Sequence, residues 1–298
     1  MNNVFLYPTV LSVAGSDSCG GAGVQADVKA ISALGAYAAT AITAITVQDT
    51  RGVRSVHPVV PDVVAAQMEA VMDDLRPQAV KIGMVGNAAT VGAIASVLRR
   101  YRPSAIICDP VMVSTSGHRL MAEEAVEAMK AELFPLCSLI TPNLREAEAL
   151  VGRAFDTLDD MKRGIHHLRR WGNYAILLKG GHLEGDDMVD LLLMPDADEC
   201  LLLHSAKVAT PNTHGTGCTL SSAIAALCAC GHDLPTAVRQ AKEYVSQAIR
   251  QGADVKFGHG HGALNHFFSP LPLKKFSPVE EKNFVGIHLK HEAASAGG

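Results

Sequence analysis

The chain has 298 residues, of which 48% are hydrophobic and 19% are charged, and its formal net charge is −4 at pH 7. This balance is typical of a folded globular protein, and the weak negative charge excludes a general attraction to nucleic acids or anionic membranes. The sequence shows neither a signal-peptide pattern nor an apolar run of the ~20 residues that a membrane-spanning helix needs. Seven cysteines without a Cys-x-x-Cys pair favour free thiols, so we expect a cytoplasmic protein.

Strand patterns and helix patterns alternate along the chain. Short apolar runs predict strands at residues 10–14, 37–47, 53–60, 79–82, 105–108, 138–141, 175–178, 189–193 and 200–206. Apolar residues at helical spacing, or capping signals, predict helices at 23–34, 61–75, 88–100, 122–133, 143–151, 158–171, 218–230 and 235–251. This alternation predicts an α/β fold with a mainly parallel sheet between two helix layers. The strand at 37–47 lacks clean alternation and is expected to be covered on both faces.

A glycine-rich stretch, residues 212–218, stands directly before one of the predicted helices. Gly215 and Gly217 lack a Cβ, so the backbone there can turn tightly and let a ligand approach its N–H groups. The free N–H groups and the positive dipole end of the helix suit a phosphate. Cys218 lies at the mouth of this turn, where a thiolate would also be stabilised. The competing interpretation is an ordinary glycine-initiated helix with a packed cysteine.

Polar residues recur where predicted strands end. These positions are Asp17, Gln48, Asp109, Asn143 with Glu146, and Lys179. In an open α/β sheet, ligands bind beyond the carboxyl ends of the strands. Any single one of these residues could be an ordinary polar loop residue, but their repetition together with the glycine turn favours a nucleotide or phosphoryl-transfer site.

Several motifs occur together in a recognisable order. They are residues 14–17, 20–27, 47–53, 81–84, 109–112, 140–143, 179–182, 212–218 and 258–262. In this order they resemble the hydroxymethylpyrimidine/phosphomethylpyrimidine kinase family of thiamine biosynthesis, and the resemblance covers residues 9–267. It implies a three-layer αβα, ribokinase-like fold with a small edge-strand flap, ATP with Mg²⁺, and a homodimer. Residues 1–267 would form one kinase domain, and residues 268–298 a tail to which we assign no function.

The resemblance also implies roles for the phosphate-site residues. The backbone N–H groups of Gly215, Thr216 and Gly217 would hold phosphate oxygens during transfer. Cys218 would act as general base if the helix end lowers its pKa from about 8.5, and otherwise would line the pocket. The remaining residues of this group divide into nucleotide contacts at Lys179, Asn143 and Thr213, and Mg²⁺ ligands at Asp109 and Glu146. Asn143 and Glu146 also have the spacing of a helix capping box, and both roles can coexist.

For the acceptor, the Gln48 amide can accept a hydrogen bond from the amino group of an aminopyrimidine and donate one to the neighbouring ring nitrogen. The resemblance adds the backbone of Val47 and the residues Gly15, Asp27, Met84 and Val111 to this pocket. Met84 and Val111 could equally be core residues. The expected reaction is ATP-dependent phosphorylation of 4-amino-5-hydroxymethyl-2-methylpyrimidine and then of its monophosphate. The alternatives are a pyridoxal kinase of the same fold and a non-catalytic pyrimidine-binding protein.

Three histidines near the end of the expected domain invite a metal-site interpretation. They are His259, His261 and His266. The flanking glycines indicate loop geometry, and no acidic partner accompanies them, so we do not predict a metal site there.

Overall fold

A computed structural model describes residues 5–113, 120–181 and 187–277. His182 of the 179–182 motif and the part of the tail beyond residue 277 lie outside the described residues. Within them, no helix combines the length and the apolar character that crossing a membrane requires.

The strands of the described residues form one mixed sheet. They are β1 (Thr9–Asp17), β2 (Tyr37–Asp49), β3 (Gly52–Pro58), β4 (Ala79–Ile82), β5 (Ala105–Cys108), β6 (Leu139–Ile140), β7 (Ala175–Leu178), β8 (Asp187–Leu193) and β9 (Leu201–Ala206). Their order in the sheet is β3-β2-β1-β4-β5-β6-β7-β8-β9. The six central strands from β2 to β7 pair in parallel, whereas β3, β8 and β9 pair antiparallel at the two edges. The carboxyl ends of the parallel strands therefore share one edge.

Helices cover both faces of the sheet. They are α1 (Gly23–Ala33), α2 (Pro61–Asp74), α3 (Ala88–Tyr101), α4 (Glu123–Ala128), α5 (Leu144–Val151), α6 (Leu158–Gly164), α7 (Thr216–Ala229) and α8 (Leu234–Arg250). The buried side chains of α1, α7 and α8 form one apolar core with one sheet face. Those of α2, α3, α5 and α6 form a second core with the other face. The predicted three-layer αβα fold is confirmed.

Two predicted helices change type along their length. The helix predicted at 158–171 is α-helical only to Gly164 and continues as a 3₁₀-helix, Ile165–Trp171. The helix predicted at 122–133 passes from α4 into a π-helical turn, Met129–Leu133. Glycine is a poor interior helix residue, and Pro135 just beyond the second segment has no N–H to extend an α-helix.

The prediction that the strand at 37–47 is covered on both faces was wrong at its far end. Ile45 and Val47 are 54% and 45% exposed. Both lie where β2 pairs with β3 in an antiparallel ribbon whose face is open to solvent. We call this ribbon, residues 44–58, the flap; it matches the expected edge-strand flap.

The described start of the tail packs on the domain. Phe268 lies 5.5 Å from the Tyr244 ring, measured between ring centroids. The amide of Leu271 donates to the carbonyl of Ala33 at 2.8 Å, at the end of α1. Residues 268–271 therefore belong to the folded body, although their sequence lost the helix and strand periodicity.

Candidate active site

The start of α7 is formed by the predicted glycine turn. Gly215 is the N-cap residue and has a left-handed backbone, with φ of 84°. A Cβ at this position would lie 1.9 Å from the carbonyl oxygen of Gly21, so only glycine fits. The first turn of a helix leaves N–H groups without intrahelical partners. The turn therefore offers the Gly217 and Cys218 amides at the carboxyl edge of the sheet, whereas the Thr216 amide already makes a long hydrogen bond of 3.3 Å to the Thr213 carbonyl oxygen.

A buried ion pair lies beside this turn. Lys179 Nζ donates to Asp109 Oδ1 at 2.9 Å, and Thr141 Oγ1 donates to the same oxygen at 3.0 Å. A Cβ on Gly217 would lie 3.3 Å from Asp109 Oδ2 and 3.4 Å from Lys179 Nζ. Among the described residues, Asp109 Oδ2 has no hydrogen-bond partner. Burial acts to lower the pKa of Lys179, but Asp109 and then Glu146 raise it above its ordinary value, so the ammonium stays charged.

Glu146 completes the predicted capping box of α5. Asn143 Oδ1 accepts from the Glu146 amide at 3.0 Å, and Glu146 Oε2 accepts from the Asn143 amide at 2.8 Å. The capping interpretation is therefore confirmed. Burial raises the pKa of Glu146 to about 7; the Lys179 charge opposes this rise, and Asp109 adds to it. The Glu146 carboxyl group is thus close enough to Lys179 and Asp109 for both charges to change its pKa.

Cys218 differs from its predicted electrostatics. Its side chain is half-buried. Burial raises the pKa of its thiol to about 11, and the positive charge of Lys81 only partly opposes this effect. The expectation that the helix end lowers this pKa below its ordinary value was wrong, because loss of hydration outweighs the dipole and the nearby lysine.

A second ion pair, Asp27 with Lys81, lies deeper, and both side chains are completely buried. Lys81 Nζ donates to both Asp27 oxygens, at 2.9 and 2.8 Å. Ser12 and Ser222 hydroxyls donate to the same carboxylate at 2.6 and 2.7 Å. The Asp27 carboxylate is saturated with protein partners. These contacts favour a place beneath the pocket, and the predicted contact of Asp27 with substrate stays a prediction.

Gln48 approaches the glycine turn at His214. Its Nε2 lies 3.2 Å from His214 Nε2, and its Oε1 accepts from Thr46 Oγ1 at 3.2 Å. The same nitrogen of His214 lies 2.9 Å from Asp17 Oδ2. Burial acts to raise the pKa of Asp17, but the hydrogen bond from His214 and backbone amides lower it. A charged Asp17 thus accepts the His214 Nε2–H, so the 3.2 Å approach of the Gln48 amide nitrogen to the same ring nitrogen is a close contact between two donors and not a hydrogen bond.

The carboxylate of Asp17 is also occupied by the loop before α1. Gly21 and Ala22 amides donate to Oδ2 at 3.0 and 2.8 Å, and the Cys19 amide donates to Oδ1 at 2.9 Å. Asp17, Cys19 and His214 bring potential metal-ligand atoms within 4.8 Å of one another. Because the aspartate already accepts these bonds, the cluster serves to fasten two loops to each other.

The other predicted pocket residues lie in or just beyond β1, β4 and β5, on the flap, and before α7. Met84 is buried, and its sulfur would lie 3.2 Å from a Cβ on Gly15, so Gly15 leaves room for the thioether. Val111 is half-buried beyond β5, and Val47 is on the flap. Thr213 accepts a 2.7 Å hydrogen bond from Thr216 Oγ1 on its carbonyl oxygen.

The three histidines of the terminal segment separate in space. His266 is buried and its Nε2 lies 3.0 Å from Thr219 Oγ1. His259 and His261 are exposed, although their backbone is engaged. These contacts give His266 a core role.

Sequence reasoning assigned no role to His214 or Lys81, although both stood in the quoted motifs. For Lys81 a signal existed: a lysine inside an apolar strand must find a buried carboxylate. For His214 no local signal existed, since its partner Asp17 lies 197 residues away.

A mainly parallel sheet, a glycine-initiated helix and a lysine with carboxylates at one edge are the parts of a phosphoryl-transfer site. The fold and site thus define a small-molecule phosphotransferase.

Comparison with known proteins agrees with this class. The profile described as phosphomethylpyrimidine kinase matches residues 17–265, and the chain belongs to that family. The hydroxymethylpyrimidine/phosphomethylpyrimidine kinase of Rhizobium meliloti (strain 1021) is 49% identical over 258 residues, which are 86% of this chain and 96% of that protein.

Solved structures give the same fold. Phosphomethylpyrimidine kinase from Clostridium difficile 630 is 41% identical with a TM-score of 0.71, covering 81% of this chain and 99% of that one. Bacillus subtilis pyridoxal kinase, solved as an ADP complex, is 32% identical with a TM-score of 0.80, covering 87% of this chain and 97% of that one. The fold is therefore shared by kinases named for two different vitamin precursors.

Proposed function

We propose that this enzyme transfers the γ-phosphate of ATP to the hydroxymethyl oxygen of 4-amino-5-hydroxymethyl-2-methylpyrimidine and then phosphorylates the monophosphate to the diphosphate. The observation that carries this is the proximity of Gln48 to His214, whose side-chain nitrogens lie 3.2 Å apart; His214 is on the loop that leads into the glycine turn. The flap thereby places an amide suited to an aminopyrimidine edge close to an anion site suited to the transferring phosphate. Family membership and the printed name of the Rhizobium relative support the substrate.

In this proposal the protein contributes position and charge. The amides at Gly215, Thr216 and Gly217 hold the oxygens of the transferring phosphoryl group, with Lys179 beside them as a fixed positive charge. Thr213 and Asn143 contact the nucleotide from the adjoining loops. The second phosphorylation would use the same anion site, with the monophosphate shifted outward.

Cys218 faces the reacting alcohol in this proposal. Because the pKa of its thiol is about 11, the thiol is protonated at neutral pH and only its minor thiolate form could take the proton. A base role predicts that kcat rises with pH in the wild type and that Cys218→Ala abolishes the rise. A lining role predicts a pH profile that the alanine variant shares.

The site also fits Mg²⁺. Asp109 Oδ2 has no hydrogen-bond partner among the described residues. Burial raises the pKa of the Glu146 carboxyl to about 7, which disfavours its charged form. A divalent cation prefers oxygen ligands; it would give Asp109 Oδ2 a partner and would stabilise the charged form of Glu146. Asp109 and Glu146 would therefore hold Mg²⁺ directly or through water. When bound, the ion would neutralise negative charge on the phosphates.

We propose further that residues 1–267 form a single catalytic domain, on which residues 268–271 pack, and that the enzyme works as a homodimer in the cytoplasm. The seven cysteines are all unpaired, which suits a reducing compartment. Exposed Ile45 and Val47 on the flap offer apolar surface for a second copy.

The test is kcat/KM for the pyrimidine and for pyridoxal, measured side by side with ATP and Mg²⁺. We expect a preference for the pyrimidine in the wild type. Gln48→Ala should lower kcat/KM for the pyrimidine about 10- to 100-fold through lost amide hydrogen bonds. A preference for pyridoxal would contradict the pyrimidine as substrate and favour pyridoxal, the substrate in the name of the Bacillus subtilis kinase. If neither compound caused ATP consumption, a non-catalytic binding protein would be favoured.

A further inference from the structure

The glycine-histidine motif at 258–262 has no part in the reaction described above, yet it packs on the tip of the flap. We call it the Gly-His segment. The amides of His259 and Gly260 both donate to Thr50 Oγ1, each at 3.1 Å. The amide of His261 donates to the Thr50 carbonyl oxygen at 2.8 Å. Thr50, between β2 and β3, therefore accepts three backbone hydrogen bonds from this segment.

The glycines of the segment permit this close approach. A Cβ on Gly258 would lie 2.4 Å from Thr50 Oγ1, and a Cβ on Gly260 would lie 2.1 Å from the Thr50 carbonyl oxygen. Real Cβ atoms do not come so near to other heavy atoms, so any larger residue would push the flap away. The spacing of the glycines thus follows from contact with Thr50.

The far end of the segment contacts the loop that leads into α7. The carbonyl oxygen of Gly262 accepts from the His214 amide at 3.0 Å. A Cβ on Gly262 would lie 2.0 Å from Asn212 Oδ1. Asn212 in turn donates to the carbonyl oxygens of Gly252 and Val255, at 2.7 and 2.6 Å. The segment therefore spans from the flap tip to the glycine-rich stretch 212–218, which we call the phosphate loop, and contacts both.

We propose that the Gly-His segment positions Gln48 against the phosphate site, with Thr50 as the positioning residue; this inference rests on the proposed function. Gln48 is two residues from Thr50 on the same ribbon. Ser18 Oγ accepts from the Gln48 amide at 3.0 Å, and the Gly-His segment holds the tip of the ribbon at Thr50. Its side chain reaches the phosphate loop through one contact, the 3.2 Å approach to His214. A displacement of about 1 Å between a bound substrate and the reacting group can cost 100-fold in rate.

The segment thus sets the distance between the group that recognises the ring and the groups that hold the phosphate. A purely structural role would weaken folding and ATP binding along with acceptor binding. A positioning role acts mainly on the acceptor, because Thr50 contacts neither Lys179 nor α7 directly among the described residues.

The test compares Thr50→Val with Thr50→Ser. Valine keeps the shape but removes the hydroxyl acceptor, whereas serine keeps it. We expect Thr50→Val to raise KM for the pyrimidine about tenfold with KM for ATP unchanged, because valine removes the acceptor of two backbone hydrogen bonds. Thr50→Ser keeps this acceptor and should stay within about twofold of wild type. Unchanged KM for the pyrimidine in Thr50→Val, or equal changes in both KM values, would overturn the proposal.

A glycine pair supplies a matched control. Gly258 and Gly152 have similar left-handed backbones, with φ of 70° and 74°, but a Cβ on Gly152 would meet nothing within 4 Å. Both Gly→Ala variants should lose stability through backbone strain. Only Gly258→Ala should raise KM for the pyrimidine; an equal rise in Gly152→Ala would contradict the proposal.

Hydrogen exchange separates this inference from the proposed function. In Thr50→Val, the His259 and Gly260 amides should exchange at least tenfold faster than in wild type, whatever substrate the enzyme uses. Wild-type exchange at these amides would overturn the anchoring itself. Faster exchange in an enzyme that does not phosphorylate the pyrimidine would instead refute the proposed function.

Discussion

Two aspartate–lysine pairs of this enzyme, Asp27 with Lys81 and Asp109 with Lys179, have the same chemistry but different surroundings. Asp27 receives hydrogen bonds on both oxygens from Lys81 and two serines, and its pair is completely closed to solvent. Within the part of the chain that the structure describes, Asp109 receives its bonds on one oxygen, and the Lys179 side chain stays 15% exposed. A saturated pair can only hold the fold together. A pair with a free oxygen and a reachable ammonium can also bind a ligand.

The difference follows from which elements meet at each pair. Asp27 is on α1 and Lys81 is in β4. Ser12 of β1 and Ser222 from the interior of α7 add hydrogen bonds, so four elements enclose the first pair. Asp109 directly follows β5 and Lys179 directly follows β7, so both lie at the carboxyl edge of the sheet, beside the start of α7. The position of an ion pair at the open edge of the sheet, more than its residue types, therefore decides whether it can bind a ligand or only stabilises the fold.

The largest effect should come from breaking the completely buried Asp27–Lys81 pair, which we call the closed pair; the Asp109–Lys179 pair is the open pair. Lys81→Met leaves the Asp27 charge buried without its partner, which should lower the free energy of unfolding by about 3–5 kcal/mol. Urea unfolding followed by circular dichroism measures this change. The double variant Lys81→Met/Asp27→Asn, which removes both charges, should recover part of the loss. If Lys81→Met alone stays within about 1 kcal/mol of wild type, the pair is not a structural element of this kind.

The open pair should show the reverse profile. Lys179→Met removes a fixed charge from the transferring phosphate, and kcat should fall about 100- to 1000-fold, equivalent to about 3–4 kcal/mol in the barrier. Stability should fall less than in Lys81→Met, because Asp109 retains the hydrogen bond from Thr141. Steady-state kinetics on protein shown to be folded measures the effect. A variant with wild-type kcat would remove Lys179 from the reaction.

The smallest effect concerns Glu146, which senses the open pair. Its pKa of about 7 in the folded enzyme exceeds the ordinary value of 4.5, so the stability linked to its proton is present below pH 4.5 and is lost as the pH rises to about 7. Glu146→Gln preserves the capping geometry without titrating. Between pH 5 and pH 8, the wild type should lose about 2–3 kcal/mol more unfolding free energy than the variant. Equal losses in urea unfolding at the two pH values would show that Glu146 is not perturbed.

Most of the fold could be predicted from local patterns, because β4, β5 and β7 are short apolar runs with clear flanking signals. The capping box of Asn143 and Glu146 was equally local and is confirmed. The exposed face at Ile45 and Val47 could not be predicted, since it depends on where the helix layers stop.

For the site, the residue types at the strand ends could be predicted but their electrostatics could not. The sequence placed Cys218 at a helix start, which favours a thiolate, whereas its raised pKa results from burial by elements distant in the chain. The saturation of Asp27 and the contact of Thr50 with the Gly-His segment likewise join residues far apart in sequence. Such contacts carry no local signal.

The most direct measurement is a time course of products from ATP, Mg²⁺ and 4-amino-5-hydroxymethyl-2-methylpyrimidine, resolved by mass spectrometry for wild type and Lys179→Met. The account predicts that the wild type forms the monophosphate first and the diphosphate after it, while folded Lys179→Met forms both at least about 100-fold more slowly. Wild-type product formation by the lysine variant, or a wild type that forms neither phosphate, would contradict the account.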